Sequence, residues 1–254
     1  MNELYNEAIN LMAKSFLVLE KMIDPPDLIT IDGLYTYRYK NETIHVAILL
    51  KLARTITGLK AIFHLNDLGL LQEQSAIQRI ADELSEDISF LTQAVIFDDE
   101  TDLHAKFLEA FFEEEFEEGK TAMASSQKRP MIPRKKIQSY INKDRSTGKV
   151  QSSEKEASRT ISKGYSGYVH AAAPQVMELY FGRPPKFHLN GCVTSPLYQD
   201  HVDDMLNYFY RGIISAALSA KAFGNEHLFQ ELFKYSKEFA RKSGNESHLT
   251  PYTT

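Results

Sequence analysis

Apolar residues recur along this chain mostly at three- and four-residue steps, the spacing that gathers them on one face of a helix. The cleanest run is residues 70–96, where Leu70, Ile77, Ile80, Leu84, Ile88, Leu91 and Val95 form one stripe that predicts a buried face. Arg79 and Glu83 lie one turn apart on its shoulder, beside Ala76, Phe90 and Ala94, where they can pair with each other. Upstream, Leu4, Ala8, Leu11, Met12, Phe16, Leu19 and Met22 predict a helix over residues 3–23, which Asp24-Pro25-Pro26 ends. Short β-prone runs on either side of Asp32-Gly33 predict a hairpin near residues 28–39, which must lean on helices to be stable. Asn41 is expected to cap a helix reaching about Leu65, and its nearly all-round apolar start, IHVAILLKLA, predicts a central position.

Past residue 96, Asp98 to Thr101 break the helix and cap another, with Leu103, Phe107, Phe111 and Phe112 on its buried side. It runs into EEEFEE, residues 113–118. Glutamates at a helix C-terminus oppose its dipole, so either the helix continues to about Ala124 or cations meet them from elsewhere. A short helix follows Pro133, with Ile137 and Ile141 turned inward. Ser153 and Glu156 form a capping-box pattern for a helix through YSGYVHAAA, which Pro174 stops or kinks. QVMELYF then closes at Gly182, and residues 183–195 read as an irregular connection. Ser195-Pro196 starts a long helix with Val202, Met205, Leu206, Phe209, Ile213, Ala217 and Leu218 inward. The last helix follows Gly224-Asn225 with Leu228, Leu232, Phe233 and Phe239 inward, and HLTPYTT reads as a frayed tail. The expected fold is all-α, a bundle of about seven helices with one small hairpin. It forms a single domain over 1–254: 1–40 helix and hairpin, 41–118 core helices, 119–163 basic connection, 164–244 C-terminal helices and 245–254 tail.

A formal net charge of -5 argues against a surface that coats nucleic acid, though the basic stretch from Lys128 to Lys163 keeps a local patch open. One cysteine, Cys192, excludes an intramolecular disulfide and suits a reducing compartment. The first residues do not have the pattern of a signal peptide, and no run approaches the roughly 20 apolar residues of a membrane span. The expected setting is therefore the cytoplasm, without a membrane partner.

Ser146-Thr147-Gly148-Lys149 has the tail of a phosphate-binding loop but neither its upstream glycine nor its strand. Glu42 and His45 supply one Glu-x-x-His step where a carboxylate-bridged metal bundle uses two, and His201 with Asp204 is an acidic patch of the kind helix starts favour. No cofactor or metal is implied. Cys192 near His188 has the composition of a nucleophile and base, against the plainer reading of a small apolar filler. Two glycines within one helical turn, in Lys163-Gly-Tyr-Ser-Gly-Tyr-Val-His170, suggest close approach to a neighbour. If that neighbour is the 70–96 helix, then Tyr165, Ser166 and His170 can reach the Arg79–Glu83 pair and form a buried polar network.

The Ala76-Ile77-Gln-Arg79-Ile-Ala-Asp-Glu83 helix and the downstream Tyr165, Tyr168, Val169, His170 segment resemble bacterial helical-bundle families of unassigned function. Those families are grouped with the HEPN (higher eukaryote and prokaryote nucleotide-binding) superfamily, and the resemblance spans residues 41–181. It implies a protein that acts on RNA or nucleotide, in antiphage defence or as a toxin-type effector, or one that only dimerises. It also implies a homodimer and, by superfamily analogy, ribonuclease activity. HEPN ribonucleases carry Arg, four to six residues, then His on one helix. The formal matches here, Arg38/His45, Arg183/His188 and Arg241/His248, are respectively split by a helix start, by Pro184-Pro185 and by Gly244.

Three hypotheses follow. In the first, Arg79, Glu83 and His170 form a catalytic centre, supported by Tyr165 and Ser166, while Arg129, Arg134, Lys135, Lys136, Arg145, Lys149 and Arg159 contact nucleic-acid phosphates. In the second, the chain is a non-enzymatic helical interaction or scaffold module for another protein. The third is a carboxylate and histidine metal bundle. The basic segment separates the first two: neutralised in the fold it supports a scaffold, exposed beside His170 it supports nucleic-acid contact.

Overall fold

The computed structural model describes residues 2–31, 33–117, 119–120, 123–127, 130–143 and 164–244. Helix α1 (Asn2–Glu20) leads into the hairpin β1 (Asp27–Ile31) and β2 (Leu34–Arg38), followed by α2 (Ile44–Asp67), α3 (Leu71–Ile96), α4 (Asp102–Phe112) and α5 (Arg134–Ile141). A short helix α6 (164–169) precedes α7 (Ala173–Met177), the strands β3 (Tyr180–Phe181) and β4 (Lys186–Phe187), and the long helices α8 (Tyr198–Ala222) and α9 (Glu226–Lys242). The fold is all-α. Among the described residues seven helices reach eight residues or more. QVMELYF, read as a helix up to Gly182, is helical only as far as Met177; its end forms β3, which pairs antiparallel with β4 in the stretch read as irregular.

Helix α2 is central, as its apolar start predicts, and packs on α1, α3, α4 and α8. Its cap is Thr43 rather than Asn41: the Thr43 hydroxyl accepts from the Val46 amide at 3.3 Å, while the Asn41 side chain donates to Asp24 at 3.4 Å. Tyr5 of α1 sits where four helices meet, its ring 4.7 Å from Phe209 and 5.6 Å from Phe63. Met22 and Phe233, expected inside, are 49% and 37% exposed. Helix α4 stops at Phe112, and a cation does meet the acidic run beyond it. That cation comes from the hairpin: Arg38 grips both carboxylate oxygens of Glu114, which is also how the hairpin leans on the helices.

The turn from α2 to α3 is fixed by backbone meeting backbone. Gly69 adopts a φ of 70° and its carbonyl accepts from the Cys192 amide at 2.7 Å. A β-carbon on Gly69 would stand 2.6 Å from that amide nitrogen, and one on Gly191, at φ 113°, would collide with the Leu68 carbonyl. Two facing glycines are therefore what lets the 183–195 connection lie against the α2–α3 turn. Gly191→Ala is expected to cost about 2–4 kcal/mol, because backbone strain and a backbone clash add. Gly224→Ala, at φ 72° with no neighbour within 4 Å, carries the strain alone and costs about 1 kcal/mol. Thermal or urea denaturation of the two variants checks the difference, and equal losses would remove the close approach as its cause.

Candidate functional site

Helix α3 carries two stripes, and they exchange burial along its length. In the C-terminal half the apolar stripe is inside, with Leu84, Ile88 and Leu91 buried. In the N-terminal half the buried face is polar: Gln74, Ser75, Gln78, Asp82 and Ser85 follow one another at one-turn steps. Ile80 is left 42% exposed, and Leu70 and Ile77 are only half-buried, so the expected continuous apolar stripe holds for half the helix. The reason is α8, which runs alongside with His201, Asp204, Tyr208 and Arg211 at matching three- and four-residue steps.

The two rows interlock. Gln74 donates to the His201 carbonyl at 3.0 Å and accepts from Asn66 at 3.0 Å, and the Ser75 hydroxyl meets His201 Nδ1 at 3.3 Å. Tyr208 donates its hydroxyl to one oxygen of Asp82 at 3.1 Å, and Arg211 donates to the other at 2.5 Å. Burial nevertheless raises the Asp82 pKa, against the pull of Arg211, Tyr208 and Arg79. Helix α6 lies over this seam through tyrosine hydroxyls. Tyr165 donates to Asp204 and its ring stands 5.9 Å from Tyr208, and Tyr168 donates to Glu178 at 2.9 Å. Gly167 of α6 gives the close approach that its sequence suggests, against the Gln175 side chain.

A buried polar network therefore exists, but one position round the helix from where it was expected. Arg79 and Glu83 do pair, at 2.7 Å, with Glu83 nearly half exposed. His170 is exposed in the turn after α6, and among the described residues no hydrogen bond or ion pair links it to Arg79 or Glu83. Tyr165 goes to Asp204 instead, and Ser166 contributes its carbonyl to the His170 amide. Neighbouring helical positions are about 100° apart, so Asp82 faces α8 where Glu83 cannot. The sequence reading missed Gln78, Asp82, Tyr208 and Arg211. The available signal was a polar stripe on each of two helices with the same spacing.

Of the residues expected to contact phosphates, Arg129, Arg145, Lys149 and Arg159 lie outside the described residues. Arg134 is tied into the bundle: it pairs with Asp87 and, at 2.7 Å, with Glu86, and donates to the Glu83 carbonyl at 3.0 Å. Asp87 also takes Lys51 of α2 at 2.7 Å. Lys135 and Lys136 remain exposed and, with Leu103, Lys106 and Ser139, wall a groove of about 600 Å³ between α4 and α5. The other candidates have ordinary surroundings. The Cys192 thiol is buried, which raises its pKa, and faces the His188 carbonyl at 3.7 Å, while the His188 ring stacks on Phe181. His45 meets the Ala222 carbonyl at 3.2 Å, and among the described residues no three His, Cys, Asp or Glu side chains converge as a metal site requires.

Two histidines are structural. His104 stacks on Phe90, accepts the Thr101 amide on Nδ1 at 3.1 Å and lies 3.3 Å from the Phe90 carbonyl through Nε2. Burial lowers its pKa against the pull of the Phe90 carbonyl, Glu100 and Asp99. Burial likewise lowers that of His201, against Glu178, Asp204 and Asp200. Histidines in the unfolded chain take up protons below about pH 6.5, before the folded ones do, so stability is expected to fall as pH drops through that value. Asp82 acts in the opposite sense, since its raised pKa favours the fold at low pH and that contribution is lost as pH rises. Urea denaturation at about pH 7.5 and about pH 5.5 should show the loss, with a shallower slope in His104→Gln and His201→Gln. An unchanged slope in both would mean that neither histidine is held neutral by its site.

No helix of the described residues is long and apolar enough to cross a membrane. Compared with models of protein families, with curated proteins and with solved structures, the chain gives no match.

Proposed function

We propose that this chain is a non-enzymatic helical interaction module, in which the α3 seam fixes how the helices dock. One observation carries the reading: the carboxylates at the supposed centre are committed to neighbours within the bundle, and His170 stands exposed apart from them. Asp82 is shared by Tyr208 and Arg211, Glu83 is held by Arg79, and Asp204 takes Tyr165. A catalytic group needs a free lone pair or proton within reach of substrate, and these spend theirs on register. The neutralisation of Arg134 by Glu86 and Asp87 supports the same reading, because it turns the start of the basic segment into a structural tie.

A second reading, an HEPN-like effector acting on RNA, keeps one supporting observation: the groove lysines Lys106, Lys135 and Lys136 face solvent without an ion pair among the described residues. In that reading Arg79, Glu83 and His170 would have to be assembled by movement of α6.

Incubation of purified protein with mixed RNA, including structured transfer RNA, separates the two. The module reading expects no cleavage, with Arg79→Ala costing under about 1 kcal/mol of stability. It expects His170→Ala to be neutral and Asp82→Ala to cost about 1–3 kcal/mol, chiefly through the buried Tyr208 hydroxyl left without its acceptor. Cleavage that both folded variants, Arg79→Ala and His170→Ala, lose would overturn it in favour of a ribonuclease.

A further inference from the structure

The groove between α4 and α5 is lined by Leu103 and Lys106 from one helix and by Lys135, Lys136 and Ser139 from the other, so that apolar surface and lysine stems lie beneath ammonium groups. Two of those lysines are placed against a rule of helix electrostatics. The first turn of α5 reads Arg134-Lys135-Lys136, three cations where the helix dipole is already positive, and it holds no acidic residue. Arg134 has its reason, since Glu86 and Asp87 of α3 answer it. Lys135 and Lys136 are exposed, and among the described residues neither has an ion pair. A charge that disfavours its own helix and gains nothing inside the fold is an inconsistency of the kind that marks a working surface.

Charge on the α4 side is mixed. Lys106 is exposed there, and so are Asp102 one turn before it and Glu109 just after it. The positive field therefore belongs to α5 and is short, with the α4 carboxylates bounding it. An extended polyanion would run onto those carboxylates and across a chain of net charge -5, and a phosphate backbone has nothing to place against Leu103. The complement of this groove is a short acidic stretch that carries one apolar side chain. The acidic run after α4 is engaged elsewhere, with Arg38 on Glu114 and Gln127 on Glu113. We infer that the groove takes a short acidic segment of another protein. The apolar side chain of that segment is seated against Leu103 and the lysine stems, and its carboxylates meet Lys135 and Lys136. The inference rests on the interaction-module reading and supplies the chemistry of the partner. Exposed ion pairs of this kind are screened by salt, so the contact is weak and salt-sensitive.

Two measurements on the full chain test it. The first needs no partner: Lys136→Glu removes a disfavoured charge from an exposed position, so the free variant should melt about 1–3 °C above wild type. The second is fluorescence anisotropy with a short labelled peptide in which one phenylalanine is flanked by glutamates. Saturable binding at low salt is expected, weakened about tenfold or more by high salt and about tenfold by Lys136→Glu. The same peptide with serine for phenylalanine should bind about tenfold more weakly, and one with lysines for glutamates should not bind. Unlabelled poly-uridylate at the same concentration of charge should leave the peptide in place. No binding, binding indifferent to Lys136→Glu, a serine peptide as good as the phenylalanine one, or a Lys136→Glu chain that melts no higher than wild type would overturn the inference. Displacement by poly-uridylate would overturn it in favour of a nucleic-acid surface. The module reading itself is decided separately, by RNA cleavage.

Discussion

Two carboxylates buried on one helix govern how this bundle is assembled. Asp82 and Asp87 of α3 are both inside, and a buried carboxylate is tolerated only when its oxygens are answered. Asp82 draws Tyr208 and Arg211 from α8, and Asp87 draws Lys51 from α2 and Arg134 from α5. Three helices are thereby tied to the one that carries the acids. Such ties add little net stability over an apolar packing of the same shape, but sliding any helix by a turn would strand a charge. They specify an arrangement more than they strengthen it. Gln78 breaks the pattern, since it is fully buried and among the described residues neither amide atom has a partner, at a cost of about 1–3 kcal/mol.

The ionic ties and the apolar core are not separate structures. Lys51 reaches Asp87 across the rings of α4, with its ammonium 4.9 Å from the centre of Phe111 and 5.6 Å from that of Phe107. A cation over an aromatic face is attracted by the ring quadrupole, and its stem covers apolar surface at the same time. Helix α4 is therefore held without a large core of its own, through rings that face a charge on α2. Phe90 extends the arrangement to α5, with Tyr140 edge-on at 5.1 Å and His104 stacked at 3.9 Å.

Much of this architecture is legible in the sequence and some of it is not, for physical reasons. Helical periodicity gives the long helices, and the all-round apolar start of α2 gives its central place, because both signals are local. The Thr101 cap is likewise local, although the reciprocal partner at the third helical position is His104 instead of the usual Glu or Gln. The burial of α3 is misread where α8 supplies polar groups, since a polar stripe reads as solvated until its partner is known. Arg134 lies in a basic run and reads as a phosphate contact, yet its acids are on α3, far upstream. Arg38 meeting Glu114 is the same failure in reverse, with the cation taken from the hairpin and not from the nearby basic stretch. In each case a charge chose a partner distant in sequence, which periodicity cannot report.

The glycine contact at the α2–α3 turn has a bearing on biosynthesis. Gly69 and Cys192 belong to opposite halves of the chain, and so do Asp82 and Arg211. As the polypeptide leaves the ribosome, α2 and α3 can form and pair long before their partners in α8 have been made. During that interval the Asp82 face is open to water, which suits a row of amides and carboxylates far better than a row of leucines. The rest of the open side is apolar, since Tyr5 and Leu59 also wait for α8. The hydrophilic seam thus keeps one side of the late-closing joint wettable and narrows the adhesive surface of the early half to the side that carries Tyr5 and Leu59.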